Sequence, residues 1–149
     1  METANMKRKP LTKLLVHASE SFCTSLARQV EACHHIETID PPSESLVLIK
    51  VKESAQNSQF YLGEVLVTEA RVRIDHSIGL GILQGHHPEK AKAMAIIDAA
   101  IKTDPVWLET WHRSLADEEK RQEQEHNTKW GMTQTTRVNF YTMDTEVTP

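Results

Sequence analysis

The chain has 149 residues, with 17 Lys and Arg against 21 Asp and Glu, a formal charge of −4. A chain near this length buries roughly 68 to 70% of the surface it exposes when unfolded, so one domain needs neither disulfides nor a structural metal. A 39% hydrophobic content with five Gly and six Pro excludes low-complexity disorder, no apolar stretch approaches the roughly 18 residues of a bilayer-spanning helix, and the mild acidity with scattered Lys and Arg argues against general binding to a nucleic-acid backbone, leaving room only for a local basic patch.

Residues Met1 to Pro10 mix charge with small polar side chains and read as a mobile arm. Lys7, Arg8 and Lys9 precede Leu11 to Ala18, where Lys13 and His17 interrupt any apolar signal core, so a cytoplasmic protein is expected. Leu11 to Ala18 carries a short helical pattern. Phe22, Leu26, Val30 and Cys33 then recur at steps of three or four, the stripe of an amphipathic helix. Cys23 and Cys33 form no CxxC and read as two reduced thiols rather than a zinc motif or a disulfide framework.

Asp40, Pro41 and Pro42 break the helical region, and the run Leu46 to Val51 predicts a strand. Ser54 to Gln59 turns the chain into Phe60 to Asp75, a long strand with a bulge near Gly63, antiparallel to the first. Its alternation places Leu66, Thr68, Ala70, Val72 and Ile74 toward the core. Val65, Val67, Glu69, Arg71 and Arg73 lie on the opposite face, whose charged end meets water or a partner. A turn at His76 and Ser77 leads to a strand over Ile78 to Gly85, and His87 and Pro88 open a helix through Lys102.

On that helix Ala93, Met94, Ile96, Ile97, Ala100 and Ile101 form a broad apolar stripe beside a ridge of Ala91, Ala95 and Ala99. Asp98 borders the ridge, where a carboxylate covered by a neighbouring subunit would need a donor, which makes it an interface candidate. After Asp104 and Pro105, a charged helix runs from Val106 to about Lys129 and ends at Gly131, with Trp107, Leu108, Trp111 and Leu115 on its early stripe. Six acidic and three basic residues between Glu109 and Glu125 call for solvent or a partner. Thr135 to Met143 alternates like an added strand or an extended arm, and Arg137, Phe140 and Tyr141 are docking candidates there. The expected architecture is α+β: a mostly antiparallel sheet with helices packed on it, one domain over residues 1–149, and an extended docking tail over 132–149.

No established catalytic motif is complete. Gly79, Gly81 and Gly85 miss the GxGxxG spacing, and neither GxxxxGK[ST] nor GxSxG occurs. His34, His35, His86 and His87 lack a diagnostic metal spacing and read as solvent-facing or capping groups, so neither a metal nor a cofactor is expected in this chain. Arg71 and Arg73 project two residues apart from one strand face and could grip a phosphate or a partner carboxylate, with Glu69 as a local partner for Arg71. The bland reading is an ion-pair ladder. Trp107 and Trp111, four apart, read first as packing and second as a docking surface.

The segment from Phe60 to Ile74 (FYLGEVLVTEARVRI), with Gly79-Leu-Gly-Ile82, Ala95-Ile-Ile-Asp-Ala-Ala100 and the closing Thr136-Arg-Val-Asn-Phe-Tyr-Thr-Met143, resembles the PhnG family. These are G subunits of the bacterial carbon-phosphorus lyase core complex. Two tail positions depart from the family pattern: Asn139 stands where an acid is usual and Tyr141 where a second Phe is. The resemblance implies a non-autonomous subunit working with PhnI, PhnH and PhnJ-type subunits in organophosphonate catabolism, with a homodimeric contact in the assembly. It also implies that ATP and methylphosphonate are substrates of the complex. A phosphonate oxygen there displaces adenine from the ribose, giving alpha-D-ribose 1-methylphosphonate 5-triphosphate. The rival readings are a stand-alone phosphate-binding enzyme built on Arg71 and Arg73, and a regulatory nucleic-acid binder, which the acidic Glu109 to Glu125 region opposes.

Overall fold

The structure, a computed structural model, describes residues 8–135 and Val138. Helix α1 (Arg8–His17) takes in the last three residues of the segment read as an arm. Helix α2 (Glu20–Glu31) starts where Ser19, in extended conformation, accepts the Phe22 amide at 3.2 Å, with Glu20 in the positive first turn. Its buried stripe is Cys23, Leu26, Ala27 and Val30. Phe22 is only partly buried, and Cys33 lies beyond the helix end and is exposed. Leu26 and Val30 are thus buried as expected, and Cys23 and Ala27 complete the stripe in place of Phe22 and Cys33.

Three strands follow: β1 (Glu37–Lys52), β2 (Gln59–Ile74) and β3 (Ser77–Gln84), antiparallel in the order β1-β2-β3. β1 is much longer than the expected Leu46 to Val51. Asp40, Pro41 and Pro42 do not end it, because it is an edge strand, where a missing N–H can face solvent, and the ladder shifts register on both sides of Asp40. The expected bulge is present. Ile49 pairs with Gly63 but Lys50 pairs with Tyr61, leaving Leu62 as the extra residue. The β2–β3 turn is Asp75-His76, one residue earlier than expected, and Asp75 supplies the positive φ of 51° that a two-residue hairpin turn requires.

Helix α3 (Pro88–Thr103) has Pro88 in its first turn and is buried on nearly every side. The sheet covers one flank and α2 the other. Thr68, on the core face of β2, donates to the Gly85 carbonyl at 2.5 Å and accepts the His87 amide at 3.0 Å, which fixes where α3 departs from the sheet. Of the predicted core face, Thr68, Ala70, Val72 and Ile74 are buried, whereas Leu66 is exposed because no helix reaches beyond Thr68 to cover it.

The alanine ridge meets the sheet rather than another subunit. A Cβ added to Gly79 would lie 1.9 Å from the Ala95 carbonyl oxygen, and one on Gly81 would lie 2.0 Å from that of Ala91, so the two glycines let β3 and α3 touch backbone to backbone. Helix α4 (Val106–Thr135) runs through Gly131, which has open space around it. An exposed helix tolerates glycine at about 1 kcal/mol relative to alanine, so the residue need not stop it. Trp111 and Leu115 anchor its first half in the core, and from Glu123 to Gln134 every residue is exposed.

Candidate functional site

An exposed apolar ribbon extends from the body of the sheet. Beyond Ser45 on β1 and Thr68 on β2, the two strands continue as a pair, Leu46 opposite Leu66, Val47 opposite Val65 and Ile49 opposite Gly63. Leu46, Val47, Leu48, Ile49, Phe60, Tyr61, Leu62 and Leu66 are all exposed, Leu46 and Leu62 to 63% and 64%. A strand that is apolar on both faces belongs in a buried position, and here neither face is covered. The unalternating run Leu46-Val47-Leu48-Ile49 carries that signal in the sequence, since a strand apolar at successive positions needs cover on both sides.

Behind the ribbon, the outer sheet face carries the predicted charged column. Arg71 Nη1 lies 3.3 Å from Asp40 Oδ2, and Arg73 Nη1 donates to Glu37 Oε2 at 3.1 Å. Glu69 does not serve Arg71. It accepts from Ser45 Oγ at 2.9 Å, because Asp40 lies directly across the strand pair from Arg71. Each guanidinium is about half exposed, so each pair contributes roughly 0 to 1 kcal/mol. Each pair engages only Nη1 of its guanidinium and offsets the positive charge that a phosphate would meet there. Beside the column, Ile78, Leu80 and Ile82 of β3 add a third exposed apolar row.

Asp98 finds its donors inside its own chain. Its Oδ2 accepts the Leu80 amide at 3.1 Å and pairs with Lys102 Nζ at 2.7 Å, while that ammonium also donates to the Ile78 carbonyl at 2.5 Å. Two side chains of α3 thus satisfy backbone groups on the outer edge of β3. They also border a groove of about 310 Å³ between β3, α3 and α1, lined mainly by Leu11, Leu15, Leu80, Ile82, Met94 and Ile97.

The tryptophans are packing residues. Trp111 is 1% exposed, its indole N–H donates to Gln29 Oε1 at 3.0 Å, and Trp107 stacks obliquely on it at 5.1 Å and packs against the core. Trp111 therefore offers no docking surface. The exposed aromatic of α4 is Trp130, near exposed Met132, on the half of the helix that leaves the body. Arg137, Phe140 and Tyr141 lie outside the described residues.

Two interior charged groups, Lys90 and Glu118, carry no signal in the sequence pattern. Lys90 Nζ donates to the Val16 and Ala18 carbonyls at 2.7 and 2.6 Å, neutralising the C-terminal end of α1. Glu118, 7% exposed, receives Arg121 through Nε and Nη2 at 2.8 and 2.6 Å and Gln122 at 2.7 Å. These donors, Arg121 above all, hold its carboxyl below the usual carboxylate range. Gln122 also donates to the Leu14 carbonyl at 3.0 Å, which ties α4 to α1. Burial pushes the Cys23 thiol up to about 11, only partly offset by nearby Lys90, so it is not a nucleophile.

Among the described residues no cluster of three or more His, Cys, Asp and Glu could hold a metal ion. His34 lies against Trp107, and His86 Nδ1 meets Glu44 Oε1 at 2.5 Å. Among the described residues no helix is long and apolar enough to cross a membrane.

The chain is 32% identical over 140 residues to the "Alpha-D-ribose 1-methylphosphonate 5-triphosphate synthase subunit PhnG" of Rhizobium meliloti (strain 1021), covering 92% of this chain and 88% of that one. The family model described as "Phosphonate metabolism protein PhnG" matches residues 6–145, nearly the whole sequence, and the chain belongs to the PhnG family.

Proposed function

We propose that this chain is a non-autonomous subunit of an alpha-D-ribose 1-methylphosphonate 5-triphosphate synthase, the transferase in which a phosphonate oxygen displaces adenine from C1 of the ribose of ATP. The relative from Rhizobium meliloti carries that subunit name, and the single observation that supports the reading in this molecule is the bare ribbon. Eight large apolar or aromatic side chains from Leu46 to Leu66 are exposed on one strand pair. Burying that surface against companion chains is the direct physical function, and catalysis belongs to the assembly. The expected companions are the PhnI, PhnH and PhnJ-type subunits, in the cytoplasm.

An independent enzyme built on Arg71 and Arg73 is the weaker reading, because both guanidinium groups are already paired across the strands. Such a displacement needs the phosphonate positioned, positive charge at the sugar stabilised and the departing base assisted. None of the described side chains forms an unengaged cluster suited to those roles.

Co-expression with the neighbouring lyase subunits tests the proposal. The chain is expected to co-purify with them, and adenine release from ATP with methylphosphonate is expected from the assembly and not from the chain alone. Replacing Leu48 and Leu62 by Ser is expected to abolish co-purification without unfolding the chain. Turnover by the isolated chain at the rate of the assembly would overturn the reading.

A further inference from the structure

The sheet has two edges, and they are treated differently. On β3, Asp98 takes the Leu80 amide and Lys102 caps the Ile78 carbonyl, so side chains stand where another strand would pair. The first half of β1 is protected by other means: Pro41, Pro42 and register shifts around Asp40 interrupt any regular partner. From Ser43 to Lys52 β1 has neither proline nor register shift on its own strand, since the bulge at Leu62 falls on β2. This stretch is the one continuous, uncapped edge among the described strands.

Its charge is polarised along the strand. Acids occupy the first half, at Glu37, Asp40 and Glu44, and lysines the second, at Lys50 and Lys52. A copy laid parallel would set like against like, whereas an antiparallel copy sets acid against base. Apolar matching then selects the register. With Val47 opposite Val47, Leu46 faces Leu48, Ser45 faces Ile49 and Glu44 faces Lys50, each pair occurring twice. Moving the axis to Leu46 sets Glu44 against Leu48, and moving it to Leu48 sets Leu46 against Lys50. In the single chain Glu44 reaches inward to His86 and Lys50 lies over the Tyr61 ring of β2, 6.0 Å from its centroid, so both exposed side chains must turn outward to meet across the axis.

We propose that Ser43–Lys52 pairs antiparallel with the same segment of a second copy of this chain about a two-fold axis at Val47, joining two three-stranded sheets into one of six. Cross-strand neighbours carry sheet stability, with opposite charges favourable and like charges directly opposed unfavourable. The interface is isologous, as a closed dimer requires. It extends beyond the subunit role proposed above: it specifies which edge the copies share, and it leaves the flat faces of the ribbon open to other companions.

The test uses the full chain, purified alone and in the co-expressed assembly. Glu44→Lys or Lys50→Glu alone places two like-charged pairs in the interface and is expected to weaken dimerisation by at least about tenfold. The combined Glu44→Lys, Lys50→Glu chain restores both pairs and is expected to dimerise like the original, and a mixture of the two single variants is expected to form the heterodimer. Sedimentation equilibrium reads each result, with circular dichroism confirming that each variant is folded. In a Cys33→Ser background, Val47→Cys is expected to form a disulfide across the axis on mild oxidation, since opposed residues of an antiparallel pair lie about 4.5 to 5.5 Å apart at Cα. Leu48→Cys, which faces Leu46, is expected not to. A Val47→Cys chain that stays uncrosslinked both alone and in the assembly, or a combined reversal that fails to regain the dimer lost by the single ones, overturns the proposal. Crosslinking of Val47→Cys to a different subunit would overturn it equally.

Discussion

The Leu80 amide donates to Asp98 Oδ2 at 3.1 Å, so a carboxylate on α3 occupies the place a fourth strand would take beside β3. Asp98→Ala removes that acceptor and the Lys102 ion pair together. Its expected cost is about 1 to 2 kcal/mol in urea unfolding. Greater light scattering on concentration is expected too, because the β3 edge becomes available to other chains.

Gly79 and Gly81 are held to a hydrogen atom for a side chain by α3. Gly79→Ala would place its Cβ 1.9 Å from the Ala95 carbonyl oxygen and 2.7 Å from the Ala99 Cβ, and backbone on both sides has little room to give. The expected loss is about 1 to 3 kcal/mol or more. Gly63→Ala, with nothing within 4 Å, is the matched control and is expected to change stability by roughly 0.5 kcal/mol or less.

Trp111 joins α4 to α2 through packing and its indole hydrogen bond to Gln29. Trp111→Ala is expected to cost about 3 to 5 kcal/mol. Gln29→Ala is expected to cost about 1 kcal/mol, since only the hydrogen bond is lost. A double-mutant cycle by chemical denaturation separates the two contributions.

Glu118 couples the fold to acid. Its folded carboxyl titrates below the ordinary value of 4.5, chiefly because Arg121 bonds the ionised form, so its contribution is complete above that value and is lost as the pH falls through the lowered one. Thermal unfolding is expected to show stability declining below about pH 4.5, with a shallower decline in Glu118→Gln.

The two thiols should part company. Cys33 is exposed and is expected to react promptly with a thiol reagent at pH 8, while Cys23, its thiol pushed up to about 11 by burial, is expected to react only on unfolding. Because the folded pKa lies above the ordinary 9.0, the thiol's contribution to stability is whole below 9.0 and disappears as the pH rises through about 11. Mass spectrometry of labelled chain with and without denaturant gives both rates.

Local order is legible in the sequence. Period-two alternation marked Phe60 to Ile74, the short strand after it and the bulge near Gly63, and Pro88 marked the start of α3, because these signals depend on nearest neighbours in the chain. Family membership was legible as well, in the strand segment and the Ala95 to Ala100 run. What the chain could not disclose from its order was who meets whom. The alanine ridge looked suited to another subunit until Gly79 and Gly81 proved to be its partners, Arg71 was assigned to Glu69 until strand register put Asp40 opposite, and Leu66 shared the pattern of the core without any helix above it. Periodicity states which side chains share a face. Only the folded arrangement of distant segments decides which of those faces is covered, and by what.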